Sequence, residues 1–193
     1  MPTKTEHKIS EYPDWTSRFI KARKKTNELL LMISAEDACA QSMVDASPAK
    51  WHAAHTTWFF ETFILKEFEN TYTPYNAAFE SLFNSYYNSI GEQFPRPNRG
   101  MITRPSLEIV KSYREQINDR ITRLLNKRTD KNLESLIELG IQHEEQHQEL
   151  LVMDLKHLLS LNPTNPVFCV EGAQSLAMGP TKWIKFDAQL KSF

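Results

Sequence analysis

The chain has 193 residues, which is enough for one sizeable domain with a single hydrophobic core. Its 23 basic and 24 acidic side chains nearly cancel, so there is no overall basic field of the kind that attracts nucleic acid. The start of the chain leads into no apolar run of signal-peptide type, and no apolar stretch is long enough to span a bilayer. We therefore expect a cytoplasmic protein without membrane contact, and five glycines with few alternating runs favour an all-α fold.

The first predicted helix opens at Pro13 and Asp14 and carries apolar residues at helical spacing as far as Ile33. A basic run within it, residues 21–25, is expected to lie largely on the solvent-facing side. A shorter segment, residues 35–43, is predicted to be a broken helical turn.

The second predicted helix begins with Ser47 as N-cap and Pro48 at the first helical position, and continues over residues 49–65. It carries His52 and His55 among closely spaced tryptophans and phenylalanines. Burying an imidazole is unfavourable unless its nitrogens are satisfied, and a metal ion is one way to satisfy one of them. The spacing of the two histidines lets both point inward, so it does not choose between them.

A short amphipathic helix is predicted to carry residues 79–87 and to end at Gly91 in the C-cap position. The following stretch, residues 92–105, contains three prolines and is predicted to be a non-helical loop. One interpretation of this stretch is a solvated connector. The other is a binding loop, because arginines on a loop stiffened by proline are suited to bidentate contact with a carboxylate.

Two longer helices complete the predicted architecture. Ser106 caps the first, over residues 107–126, and Thr129 with Asp130 caps the second, which runs to Leu161. Four such helices and one long excursion predict a four-helix bundle with a short extra helix over residues 1–161. Residues 162–193 are interpreted as an irregular tail, either a linker or the start of a missing C-terminal domain.

His143 and His147 lie four residues apart in the last helix, so both imidazoles are on nearly the same side, one turn apart. Two neutral imidazoles so placed can reach one divalent ion, although they can also be two surface histidines. With His55 or His52 they would form a three-histidine set that leaves coordination positions open, as a catalytic metal requires.

The same residues also spell the zinc-protease pattern His-Glu-x-x-His, in which Glu144 would be the general base. That interpretation is weak because short patterns of this sort recur by chance. The third histidine of the extended pattern is missing, and Glu171 is only a distant candidate for a third ligand.

Four blocks of the sequence resemble, in order, the DinB-like domain of the sulfoxide synthases of ergothioneine biosynthesis. They are residues 47–61 (SPAKWHAAHTTWFFE), 82–87 (LFNSYY), 95–100 (PRPNRG) and 143–151 (HEEQHQELL). Four ordered blocks are much more specific than any one short motif. The resemblance implies a DinB-like bundle followed by a second domain similar to the formylglycine-generating enzyme.

For the site, the resemblance implies a non-haem Fe(II) bound by His55, His143 and His147, and not by His52. It places Gln146 near a trimethylated histidine substrate, and Arg96 and Arg99 at the carboxylates of a thiol substrate such as γ-glutamylcysteine or cysteine. The implied reaction is O2-dependent C–S bond formation with sulfoxidation. The family's catalytic tyrosine would lie in the second domain, so no catalytic residue is assigned here and the chain alone is expected to be incomplete.

Two other functions remain open at this point. One is a stand-alone DinB-like thiol transferase or hydrolase that uses zinc or another divalent ion at the same histidines. The other is a non-enzymatic helical module. An apolar, metal-centred concavity on the bundle is expected to be covered by the missing domain or by a second copy in a homodimer.

Overall fold

The computed structural model describes residues 14–85, 91–127 and 130–168, and within these ranges the chain is helical and contains no strand. The prediction of an all-α fold is confirmed. None of the helices in the described part of the chain is long and apolar enough to cross a membrane. The helices are α1 (Trp15–Leu30), α2 (Ala49–Phe60), α3 (Phe79–Leu82), α4 (Leu107–Lys127) and α5 (Lys131–Ser160).

The four long helices pack as a bundle in which α5 lies along α1 and α2, and α4 lies along α2 and α1. The core between them consists of fully buried apolar side chains, including Phe19, Phe60, Ile117 and Leu151. Helix α5 packs tightly against α2 at Gly140, where an added Cβ would lie 2.5 Å from the Phe60 ring. The faces that carry the histidines are therefore held together by a dense core.

Helix α2 continues through a π-helical turn, Glu61–Leu65, and a last α-helical turn, Lys66–Phe68. The wider turn coincides with the burial of a carboxylate. Glu61 accepts the backbone N–H of Tyr75 at 2.7 Å and the hydroxyl of Tyr113 at 2.5 Å. These bonds join the end of the histidine-bearing helix to the long excursion and to α4.

The predicted helix starts at Asp14 and Asp130 are confirmed, whereas Pro13 and Thr129, named with them in the prediction, lie outside the described residues. The Asp14 side chain accepts the N–H of Ser17, and the Asp130 side chain accepts the N–H groups of Asn132 and Leu133. Each carboxylate thereby satisfies donors that a first helical turn leaves unpaired.

The prediction that Ser47 caps α2 is wrong. Pro48 is the N-cap residue, with φ −57° and ψ 144°, and the helix begins one residue later, at Ala49. Ser47 is engaged in tertiary contacts instead: its N–H donates to Asp154 at 2.8 Å, and its hydroxyl accepts from Arg99 at 2.9 Å. The residue that was expected to start the helix therefore ties α2 to α5 and to the arginine-bearing segment.

The prediction that residues 92–105 are entirely non-helical is also wrong, because a 3-10 helix covers Arg96–Met101. Proline is tolerated in a first helical turn, where its missing N–H leaves no bond unmade. The amide of Gln41 fixes this turn, donating to the carbonyl of Arg96 at 2.9 Å and accepting the N–H of Gly100 at 2.6 Å. The two arginines thus sit on an ordered support.

Two further expectations need correction. The short helix α3 ends at Leu82, so Gly91 is not its C-cap, although its φ of 137° is one that favours glycine. Tyr86 and Tyr87 lie outside the described residues, as does most of the tail. In the basic run of α1 the lysines are exposed as expected, but Arg23 is buried.

Candidate metal centre

Three imidazoles meet where α2 packs against α5. His55 projects from α2, and His143 and His147 project from α5 one turn apart. Each offers one ring nitrogen, and these nitrogens all lie within 4.8 Å of one another. The three histidines could therefore hold one metal ion.

His55 is oriented by contacts on both its edge and its face. Its Nδ1 lies 2.6 Å from the carbonyl oxygen of Phe83, so Nδ1 carries the proton and Nε2 keeps its lone pair. The ring stacks on Trp51, with 4.6 Å between centroids and 11° between planes, and on Trp58, with 5.5 Å and 15°. A backbone carbonyl on the second nitrogen is the usual outer partner of a metal-bound histidine.

The geometry distinguishes His52 from His55, which the spacing of the two histidines did not. His52 is also buried, but its two nitrogens face protein groups: Nδ1 lies 2.9 Å from Nδ1 of His147, and Nε2 lies 3.0 Å from Oδ2 of Asp154. The group of convergent nitrogens contains His55 and not His52.

His143 supplies a test of whether a metal fits. Its Nδ1 is buried and has no hydrogen-bond partner among the described residues, while the ring packs against Phe59 at 4.7 Å and His55 at 5.0 Å between centroids. A buried polar atom without a partner is unfavourable. A cation shared with two other imidazoles is a partner that this donor set can accept.

Burial also sets the protonation of the three rings. It lowers the pKa of His143 to about 4. Burial, together with the charge on neighbouring histidines, lowers the pKa of His55 and of His147 well below the ordinary value. All three are therefore neutral near pH 7, the form in which imidazole binds a metal.

The three histidines open into a cleft of about 250 Å³. All three residues expected at the substrates, Arg96, Arg99 and Gln146, line this cleft. None of the described residues that line it is acidic, so its charge favours an anionic ligand. The remaining lining residues are Ser47, Trp51, His52, Ser85 and Leu150.

The two arginines are held differently. Arg99 is buried, donates to the hydroxyls of Ser47 and Ser85 at 2.9 and 3.1 Å, and lies over the Trp51 ring. Arg96 is half-buried and donates from Nη2 to the backbone carbonyl of Asp45. A fixed guanidinium and a more accessible one therefore share the cleft.

Glu144 is turned away from this cleft, and the zinc-protease interpretation is wrong. Its carboxylate is completely buried and accepts from Arg23 at 2.5 Å, Arg114 at 2.9 Å and Thr26 at 2.6 Å. Burial alone would raise the pKa of Glu144. The guanidinium groups of Arg23 and Arg114 outweigh this effect and lower the pKa to about 2. An ionised carboxylate that is paired with two buried guanidinium groups cannot serve as a base at the histidines. Glu171, the distant candidate for a third ligand, lies outside the described residues.

Sequence reasoning missed Asp154 and Trp51 as parts of the site. A signal for Asp154 was available, because it lies seven residues after His147 and so on the same face of α5 two turns later. The contact between Trp51 and Arg99 joins two segments that are far apart in the chain, and no local pattern predicts it.

Comparison with known proteins identifies the bundle. Residues 18–158 match the sequence model of the DinB superfamily. The match covers well over half of the chain and includes the three histidines and both arginines of the cleft. No curated protein matches the chain.

Proposed function

The chain belongs to the DinB superfamily, and we propose that it is the metal-binding domain of a non-haem Fe(II), O2-dependent sulfoxide synthase. In this proposal the reaction joins a thiol, γ-glutamylcysteine or cysteine, to trimethylhistidine. The superfamily includes metal-dependent enzymes. The observation that carries the proposal is the convergence of three neutral imidazoles in a cleft lined by two arginines.

Three histidine ligands leave further coordination positions for substrate and oxygen. Imidazole suits iron, zinc, copper and nickel, so the donor set alone does not select the metal. The resemblance of four sequence blocks to the sulfoxide synthases favours Fe(II) over Zn(II). A ferrous ion held by His55, His143 and His147 would supply the activation of O2.

The two arginines of the cleft are the reason for proposing a thiol substrate that carries a carboxylate. A planar guanidinium can form two parallel hydrogen bonds with one carboxylate, and such charge-assisted bonds are stronger than neutral ones. Arg96 and Arg99 line the same cleft as the histidines, so a thiol substrate gripped by its carboxylate would have its sulfur near the metal. Fixing both ends of a small substrate in this way lowers the entropy lost on reaching the reactive geometry.

Gln146 is the candidate contact for trimethylhistidine. It is exposed, lies on α5 directly before His147 and lines the cleft. Its side-chain amide offers both a donor and an acceptor, which suits the imidazole and carboxylate of this substrate.

The cleft is small for two substrates. Pockets that bury drug-sized ligands measure about 300–1,000 Å³, whereas this cleft measures about 250 Å³ and is partly open to solvent. We therefore propose that a second, C-terminal domain supplies the opposite wall and excludes water during oxygen chemistry.

Ligand binding to protein purified without oxygen and loaded with Fe(II) tests the proposal. Anaerobic calorimetry should show saturable binding of trimethylhistidine and of cysteine or γ-glutamylcysteine, with about one iron per chain. Iron uptake with no binding of either ligand, also in a chain completed by its second domain, would overturn the sulfoxide synthase assignment. A Zn(II)-loaded chain that transfers or hydrolyses thiol compounds would favour the stand-alone hydrolase or transferase instead.

Oxygenated assays of the chain alone give a second test. Without the opposite wall we expect no sulfoxide from trimethylhistidine, a thiol and O2. Turnover at a rate typical of enzymes, about 1 per second or more, would show that no second domain is needed.

A further inference from the structure

A line of hydrogen bonds runs from His147 through His52 to Asp154. The two Nδ1 atoms of the histidines lie 2.9 Å apart, and Nε2 of His52 lies 3.0 Å from Oδ2 of Asp154. The same Oδ2 accepts the backbone N–H of Ser47 at 2.8 Å. His52 and Asp154 are both buried, so water competes little for these bonds.

These contacts determine where each proton lies. Oδ2 of Asp154 already accepts one N–H, so the carboxylate is an acceptor and Nε2 of His52 is the donor to it. In a neutral His52 the other nitrogen, Nδ1, is then an acceptor. The single proton between the two Nδ1 atoms therefore belongs to His147, whose Nε2 is left with a lone pair.

We propose that His52 and Asp154 are positioning residues of the metal centre, which hold His147 in the tautomer and ring orientation that present Nε2 to the ion. This inference rests on the proposed metal site but not on the identity of the substrates. His52 is not itself a ligand, because both of its nitrogens are used in the line. Outer partners of metal-bound histidines typically contribute about 10–100-fold to metal affinity.

If these hydrogen bonds had a purely structural role, the variants would behave differently. Asp154 also joins the start of α2 to α5 through Ser47, so its loss could destabilise the bundle without affecting any histidine tautomer. A structural role would change the free energy of unfolding alone. A positioning role would also change the metal affinity of folded protein and the protonation pattern of His147.

Metal titrations of four variants separate these roles, with Co(II) as the probe and its visible absorption as the signal. His52→Leu and Asp154→Ala should bind Co(II) about 10–100-fold more weakly than wild type. His52→Asn should recover most of the affinity, because its amide oxygen can take the place of Nδ1 as acceptor. His157→Gln is the matched control, since His157 is on the same helix but bonds to Ser42 at 2.8 Å.

The tautomer can be read in metal-free protein by long-range ¹H–¹⁵N spectra of the imidazole rings. Wild type should show His147 protonated at Nδ1 and unprotonated at Nε2, and His52→Leu should lose that preference while remaining folded by circular dichroism. Wild-type Co(II) affinity in both His52→Leu and Asp154→Ala would overturn the proposal, as would a His147 protonated at Nε2 in wild type.

These outcomes are distinct from failure of the proposed function. A chain that binds Co(II) with the expected variant pattern, but binds neither substrate even when completed by its second domain, would refute the sulfoxide synthase assignment and support the positioning role. A wild-type chain that takes up no Co(II) would overturn the metal centre and the positioning role with it.

Discussion

The guanidinium carbon of Arg99 lies 3.4 Å from the centroid of the Trp51 ring, and that ring stacks on His55. An arginine expected to bind substrate is therefore in direct contact with the aromatic side chain that orients a candidate metal ligand. A guanidinium over an indole is a favourable pairing, and hydroxyls of Ser47 and Ser85 hold it in place. Arg99 is pre-organised, so little entropy is lost when an anion binds to it.

Replacing Arg99 or Arg96 with alanine should weaken binding of cysteine to the Fe(II)-loaded chain by about 1.5–3 kcal/mol, the scale of a charge-assisted hydrogen bond. Anaerobic calorimetry measures this change. Cysteamine, which has the thiol but no carboxylate, is the matched ligand and should be affected little. Equal losses for the two ligands would mean that the arginines support the cleft without contacting the carboxylate.

Glu144 gives a prediction about stability. Replacing it with glutamine leaves the buried guanidinium groups of Arg23 and Arg114 without a countercharge, and breaking a buried pair in this way costs about 3–5 kcal/mol. Chemical denaturation of the metal-free chain measures the loss. The neighbouring exposed residue supplies the control: Glu145→Gln should lie within about 0.5 kcal/mol of wild type. A stable Glu144→Gln variant would show that the network contributes little.

The change in stability expected for Gly140→Ala is the balance of two opposing effects. Alanine in a helix interior is favoured over glycine by about 1 kcal/mol. The new methyl group would, however, lie 2.5 Å from the buried Phe60 ring, and such overpacking costs about 1–3 kcal/mol. We expect Gly140→Ala to lower the melting temperature, and the double variant with Phe60→Leu to recover part of the loss. A higher melting temperature in the single variant would show that the ring moves easily.

Local patterns predicted most of the fold. Apolar spacing predicted the long helices, and aspartates marked two of their starts correctly because a carboxylate cap acts within its own turn. The prediction that Ser47 is an N-cap was wrong because its backbone N–H bonds to Asp154 and its hydroxyl bonds to Arg99, both far away in the sequence. The prediction that Arg23 is exposed was wrong for the same reason, since its partner Glu144 lies 121 positions away in the sequence.

Local sequence patterns also predicted part of the candidate site. The spacing of His143 and His147 indicated a shared face of one helix, whereas the choice of His55 over His52 depended on how α2 is rotated against α5. That rotation depends on packing between helices that are far apart in the sequence, so spacing within α2 could not reveal it. Resemblance to the sulfoxide synthases favoured His55 through its place in a motif.

The last prediction concerns the metal itself. A ligand that binds only the folded state stabilises it, by about 2.7 kcal/mol when its free concentration is 100 times the dissociation constant. Addition of Fe(II) or Co(II) without oxygen should therefore raise the melting temperature of wild type, and a chelator should reverse the rise. His55→Ala, His143→Ala and His147→Ala should each abolish the shift and lower metal affinity by more than about 100-fold, beyond the loss expected from an outer partner. His157→Ala, on the same helix as two of the ligands, should retain both. Metal-dependent stabilisation that survives in the three ligand variants would place the ion elsewhere on the bundle.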